Sequence, residues 1–421
     1  MKILHVSSFD SGGGAGRAAY RIHQAVQGVG GESSMRVFKK ESTDPEVNDW
    51  IAKPWVKQIE FYFYRRWLFK LKSRWSSTIK ELHSFGRFGV GLVDELNNSD
   101  ADIIHLHWVC DMLSIADIGK IKKPIVWTMH DMWPFCGSEH YSPDELDSRF
   151  KVGYTTSNRP KGEKGADLSR ITWEAKRKAW ARKTFHIVST STWMNQCVQS
   201  SYLFRNSPRV VIPLPINPEF PWKPQSKEMA RAALNLPLNK KLVLMGADGS
   251  VLNSRKGGDL LLEAIGNLNK TNLNDIEFVI FGKSFPKDFG LSSFPIHFLG
   301  IIKDDRLLAF AYSAADVMVT PSRQEAFGLT AQEALACGTP VVAFDIGGLS
   351  DLLVHKENGW LATPFDTSDL AKGIDWILED STRYDWLSHR ARMMIEENYS
   401  QEVIGSKHLQ LYKRILENQS L

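Results

Sequence analysis

The sequence predicts an α/β fold built as two doubly wound Rossmann-like domains, and three observations carry that expectation. Short runs rich in valine and isoleucine alternate with helical patterns almost from end to end, as in parallel sheets built from βαβ units. A glycine-rich loop, Ser11 to Arg17 (SGGGAGR), follows the first run and opens the first helix. The proline-rich stretch Pro213 to Pro224 (PLPINPEFPWKP) divides the series in two. The 421 residues suffice for two domains of ordinary size, each with its own core.

In the first half, strands are expected at Ile3 to Ser7, near Ser34 to Phe38, at Ile103 to His107, Ile125 to Met129, Ile187 to Thr190 and Val210 to Ile212, with a helix over Ala18 to Val29. The second half continues with Leu242 to Met245, Phe278 to Phe281, Ile296 to Leu299, Val317 to Thr320 and Val341 to Phe344, with helices such as Asp259 to Asn267 between. The tail from Thr382, through Trp386 and Ile395 to Ile415, reads as helical. The expected division is residues 1–215, residues 225–395, and a C-terminal helix, 396–421, that packs back on the first domain. Open α/β sheets bind ligands at the carboxyl ends of their strands, so the two domains are expected to face each other across a cleft.

Composition narrows the function class. With 43% hydrophobic and 24% charged residues the chain is that of a folded soluble protein, and a net charge of +4 is too small to argue for nucleic acid. The first apolar run reaches glycines too soon for a signal peptide, and no run approaches the roughly 20 residues a membrane span needs. Cys110, Cys136, Cys197 and Cys337 show neither zinc nor disulfide spacing. A cytoplasmic protein is expected. Trp55 to Trp75 (WVKQIEFYFYRRWLFKLKSRW) sets Lys57, Arg65, Arg66, Lys70, Lys72 and Arg74 among aromatic residues. It suits either an ordinary helix with its aromatics turned inward or one lying on an anionic membrane surface.

The glycine loop removes side chains so that backbone N–H groups can approach a phosphate or sugar. A nicotinamide site would need a third glycine where Arg17 stands and an acid at the end of the second strand, where Lys39 and Lys40 stand, so it is disfavoured. His105 and His107 alternate along one strand and share a face, but a metal would need a third ligand that this spacing does not supply. Asp100-Ala101-Asp102 has the D-x-D spacing of a metal-nucleotide site yet precedes its strand, at the wrong end of the sheet, and reads as a solvated strand start.

Glu325 to Ala343, EAFGLTAQEALACGTPVVA, poses a local question. Thr330 and Glu333 have capping-box spacing, and Gly338 with Pro340 would end the helix. Glu325 has no such local explanation, although it would sit beside a helix N-terminus, where anions bind.

Ile103 to Tyr141 contains IIHLHW and then PIVWTMHDMWPFCGSEHY; Asn253-Ser254-Arg255-Lys256-Gly257-Gly258 follows, and then Glu325-x7-Glu333. Together with the glycine loop, these motifs make the chain resemble the retaining nucleotide-sugar glycosyltransferases of family 4, with the two-domain GT-B architecture. The likeness runs in order through nearly the whole chain and is greatest to enzymes of exopolysaccharide and O-antigen assembly, including colanic acid glycosyltransferases.

The resemblance implies a metal-independent transfer, without further cofactor, of a sugar from a nucleoside diphosphate to a glycan, lipid-linked at the cytoplasmic membrane face. In such a transfer negative charge builds on the leaving diphosphate and needs fixed cations and backbone donors. Lys256, Arg255 and the N–H groups of Gly328, Leu329 and Thr330 are placed to supply them. Glu325 is implied against the donor sugar, Glu333 on the ribose hydroxyls, and His130 on the transferred sugar. Gly13, Gly14 and Phe327 complete the implied donor-binding set, and Arg17, Asp131 and Glu139 are the acceptor-side candidates. No general base is assigned. A nucleotide-sugar epimerase or a phosphorylase of the same fold, or a non-catalytic sugar-binding subunit, are the alternatives. The sequence departs from the family pattern at Gly246-Ala247-Asp248-Gly249-Ser250, where relatives carry Gly-Arg, and after Tyr141, where the chain is polar and free of cysteine up to Gly165.

Overall fold

The computed structural model describes residues 1–50, 55–246, 253–268, 275–283 and 294–418. The Ala247–Ser250 stretch, where the Gly-Arg of relatives would fall, lies outside them, as does the side chain of Lys57. The chain forms two units, Met1–Ile212 with Gly405–Leu421, and Pro213–Ile404.

The first unit is a seven-stranded parallel sheet: β1 (Lys2–Phe9), β2 (Glu32–Lys39), β3 (Val47–Asp49), β4 (Ile103–Leu106), β5 (Ile125–Met129), β6 (Phe185–Ser189) and β7 (Arg209–Val211). Their order, β3-β2-β1-β4-β5-β6-β7, reverses direction between β1 and β4. The second unit repeats the scheme with β8 (Lys241–Gly246), β9 (Ile276–Phe281), β10 (Ile296–Gly300), β11 (Val317–Thr320), β12 (Val341–Phe344) and β13 (Gly359–Ala362), in the order β10-β9-β8-β11-β12-β13. In each sheet the reversal leaves room for a ligand outside the carboxyl ends of the two strands that flank it. The first sheet thereby turns residues 10–13, 107–111 and 130–131 to one edge, and the second does so with the loop after β11.

The central strands are covered by helices on both sides, so they read as unbroken apolar runs. Every residue of β4, β5, β11 and β12 is buried. The first helix begins at Gly13, not at Ala18, because the glycines themselves form its first turn. A Cβ on Gly16 would come within 3.1 Å of the Phe9 Cβ, so Gly16 brings the helix down onto β1. The edge strands Val47–Asp49 and Gly359–Ala362 add to the strands the sequence predicts: one has three residues and the other starts on a glycine, too little for a periodic signal. The tail forms two helices, Ser381–Tyr399 and Gln401–Glu417. From Gly405 the second belongs to the first unit, where a Cβ on Gly405 would lie 2.2 Å from the Ala25 carbonyl oxygen. No helix among the described residues is long and apolar enough to cross a membrane.

Histidines crowd the core of the first unit. His5, His23, His105 and His408 are fully buried and His107 is 2% exposed. Burial holds the imidazoles of His5, His105 and His107 well below the ordinary histidine range, that of His23 at about 4 and that of His408 at about 3. They are neutral when folded, whereas the unfolded chain protonates them below about pH 6.5. The unfolded state therefore gains protons first, and stability falls as pH drops through 6.5 toward 4, by roughly 1.4 kcal/mol per histidine per pH unit. Urea unfolding should show a midpoint steady above pH 7 and falling steeply between pH 6.5 and 5, before the carboxylates of the unfolded chain titrate. A midpoint unchanged from pH 7.5 to 5 would disprove this account of the core.

Candidate active site

In the second unit the site is assembled by a short turn and a loop that approach at glycine positions. The 3-10 turn Ser254–Lys256 is started by the Asn253 side chain, which accepts from the Arg255 N–H at 2.8 Å. Gly257 follows at φ 66°, and a Cβ there would fall 1.8 Å from the Pro321 carbonyl oxygen, so only glycine lets this turn close on the loop after β11. The Arg323 N–H donates to the Arg255 carbonyl at 2.7 Å, and the Arg323 guanidinium bonds both Ser254 O and Asp259.

Clamped this way, the Lys256 ammonium donates to Glu325 Oε2 at 2.6 Å, with Arg255 Nη1 3.6 Å from the same oxygen. Arg255 also donates to the Gln324 carbonyl at 3.0 Å. Burial pushes the Glu325 carboxyl up, but Lys256 and then Arg255 outweigh it and hold it below the usual range, so it stays ionised. Gly347 and Gly348 let the next loop close behind it, the Gly348 N–H donating to the Glu325 carbonyl at 2.9 Å.

The capping box expected at Thr330 and Glu333 does not form. Helix Leu329–Ala336 is capped by Gly328 in the left-handed region (φ 106°, ψ 56°), with no side-chain cap, and Thr330 lies inside its first turn. The first-turn amides are thus left without intrahelical partners. Glu333 lies a turn further on, 3% exposed, with its Oε2 accepting from the Tyr312 hydroxyl at 2.9 Å. Phe327 is buried against Tyr399, while Leu329 and Thr330 are half-buried.

In the first unit His130 and Asp131 leave the end of β5, and His107 and Trp108 leave the end of β4 beside it. His130 Nε2 meets His107 Nδ1 at 3.0 Å, and His107 Nε2 meets His5 Nδ1 at 2.9 Å. Burial lowers the His130 imidazole to about 4 although Asp131 works the other way. Asp131 accepts from Trp108 Nε1 at 3.0 Å and the Trp133 N–H at 2.9 Å, and lies 2.6 Å from His140 Nδ1. Burial raises its carboxyl, but His140 and the Trp133 N–H outweigh that and keep it below the usual range. Glu139 is 2% exposed; its Oε1 accepts from the Tyr154 hydroxyl and the Gly137 N–H, so it serves the interior of its loop. Lys176, fully buried and lowered to about 8 by burial, donates to the carbonyls of Trp133, Cys136 and Gly137 and ties that loop down. Gly13, Gly14 and the half-buried Arg17 open the helix after β1.

His5 and Lys176 have no local sequence signal. His5 pairs with His105 across β1 and β4, and it supplies the third histidine that strand spacing alone did not. Nitrogens of His5, His105 and His107 lie within 4.8 Å of one another. His105 lies over the face of His107, with centroids 4.3 Å apart and a 30° tilt. Both its nitrogens also contact hydroxyls, Tyr412 and Thr128, at 2.7 Å. Asp100 and Asp102 serve as the solvated strand start expected, both bonded to Lys2.

The family described as Glycosyltransferase Family 4 matches residues 12–220, and that described as Glycosyl transferases group 1 matches 226–400. The D-inositol 3-phosphate glycosyltransferase of Rhodococcus erythropolis is 30% identical over 211 residues, 47% of this chain and 46% of that one. The chain spans less than half the length of the curated relatives it matches. Among solved structures, sucrose-phosphate synthase from Thermosynechococcus elongatus aligns with a TM-score of 0.67 at 20% identity, over 99% of this chain and 100% of that one. HepE from Anabaena, in complex with UDP and glucose, aligns with a TM-score of 0.65 at 16% identity, over 98% and 99%. With both halves matched in order and two Rossmann-like domains of GT-B type, this chain belongs to glycosyltransferase family 4.

Proposed function

We propose that this chain is a retaining glycosyltransferase that moves a sugar from a nucleoside diphosphate to a glycan acceptor, lipid-linked, in surface polysaccharide assembly. The observation that carries the proposal is the Arg255–Lys256 pair held against Glu325 beside a helix start that no side chain caps. The two cations outnumber the one carboxylate they face, and the first-turn N–H groups add donors, which suits a diphosphate whose charge grows as the sugar departs. We assign compensation of that charge to these groups rather than to a metal ion. Glu325 takes a hydroxyl of the donor sugar, and Glu333, with Tyr312 on one oxygen, takes the ribose. His130 contacts the transferred sugar, and Asp131 orders its loop on the acceptor side. The HepE structure, which holds UDP and glucose, supports a UDP-sugar as the first donor to test.

Anchoring to an anionic membrane surface is part of the proposal. In helix Trp55–Ser73, Phe61 and Tyr64 pack on Phe88, as an ordinary helix would. Tyr62, Phe63 and Phe69 instead stand 56%, 63% and 76% exposed among Arg65, Arg66, Lys70 and Lys72. Exposed aromatic rings between bases fit the boundary of lipid headgroups.

Thermal unfolding against UDP, GDP, ADP, dTDP and NAD should show a raised midpoint with one nucleoside diphosphate only, lost in Lys256→Ala. Lys256→Ala and Glu325→Ala should each lower transfer by about a hundredfold or more, the scale of losing one preorganised charge-stabilising group, while the fold is kept. Wild-type turnover in both variants would remove the site from consideration. Converting Arg65, Arg66, Lys70 and Lys72 together to Gln should shift the protein from anionic vesicles to the supernatant, and unchanged sedimentation would leave an ordinary packed helix.

A further inference from the structure

His130, His107 and His5 form a line of imidazoles running from the edge of the first sheet into its core. The centroid separations, 5.2 Å for His5–His107 and 5.3 Å for His107–His130, match the N···N distances of 2.9 and 3.0 Å plus roughly one ring radius at each end, so the bonds lie close to the ring planes. A neutral imidazole carries one N–H and one lone pair, so the protons of all three rings must point the same way along the line. If they point inward, His5 Nε2 carries the last N–H, and that atom is buried with no hydrogen-bond partner among the described residues. If they point outward, the same atom is a bare lone pair. An orphaned buried N–H is the rarer and costlier of the two.

We propose that His107 and His5 are positioning residues that fix His130 in one tautomer, with Nε2 accepting from His107 and Nδ1 carrying the proton on the side away from the line. His130 then meets its ligand as a neutral hydrogen-bond donor. It recognises an oxygen of the sugar, a hydroxyl or ring oxygen, and does not serve as the base that deprotonates the acceptor. This deepens the role given to His130 above and rests on it. The backbone supports the line at its middle, where the Trp127 indole N–H donates to the His107 carbonyl at 3.0 Å. His105 covers one face of His107 and is itself held by Tyr412 and Thr128, so the middle ring has little freedom to flip.

The test reads the tautomer directly. Full-length protein with 15N-labelled histidine side chains gives ring-nitrogen resonances, and His130 is assigned by its disappearance in His130→Gln. The expected result at pH 7.5 is a neutral ring protonated at Nδ1. His107→Phe should convert it to a mixture of tautomers, and His107→Gln, which restores a donor, should return it toward the single form. Transfer should fall about tenfold in kcat in His107→Phe, the lower end for loss of an orienting partner, with KM for the nucleotide sugar little changed. A wild-type His130 protonated at Nε2 overturns the proposal, whether or not the variants fold, and so does an unchanged tautomer in His107→Phe. If Nδ1 is protonated as expected yet His130→Ala transfers sugar normally, the line of histidines stands and the role of His130 in transfer falls.

Discussion

The bond from Lys256 to Glu325 is the contact on which the second unit's site depends. It joins the turn at 254–257 to the loop after β11, and 69 residues separate its partners. A partly buried charge pair of this kind gains little net stability, because desolvation consumes most of the Coulomb attraction. Its value is positional. Glu325 holds two cations in one place, so that in the proposed reaction their orientation need not be found when the anion arrives. The glycines at 257, 347 and 348 serve the same end, since a Cβ at any of them would strike the backbone of the loop that carries Pro321 or Glu325.

The first unit solves a different problem. Its candidate residue, His130, stands in a region crowded with polar rings but supplied with few charges, and burial keeps those rings neutral. Neutral imidazoles can be buried at modest cost because each bond satisfies one donor and one acceptor. The arrangement trades acid tolerance for order, since every such ring favours the unfolded chain once the pH drops below its free value.

Much of the fold was legible because strands covered on both faces leave continuous apolar runs, as in Val317–Thr320 and Val341–Phe344. The glycine loop was legible as a helix start, though not that Gly16, one residue before Arg17, makes the close contact with β1. Thr330 and Glu333 misled for a physical reason. Capping-box spacing also occurs inside helices, and here the left-handed Gly328 ends the preceding loop two residues earlier. Glu325, Arg255 and Lys256 could be paired only through family resemblance, because nothing in either segment names the other. His5 was invisible to any local pattern, since only the strand order β1-β4 brings it beside His105 and His107.

The two units treat charge in opposite ways, and the proposed reaction gives a reason. As the bond from the anomeric carbon to the diphosphate lengthens, positive charge develops on the sugar and negative charge on the leaving group. Fixed cations stabilise the second and would oppose the first. On the proposed roles, a protonated histidine against the sugar would therefore oppose what cations at the diphosphate contribute. A neutral ring can still donate a hydrogen bond that orients the sugar without adding a repulsive charge. His130, with its ring lowered to about 4, meets that requirement at neutral pH, and the burial that achieves it comes with the same core that orders the line of histidines behind it.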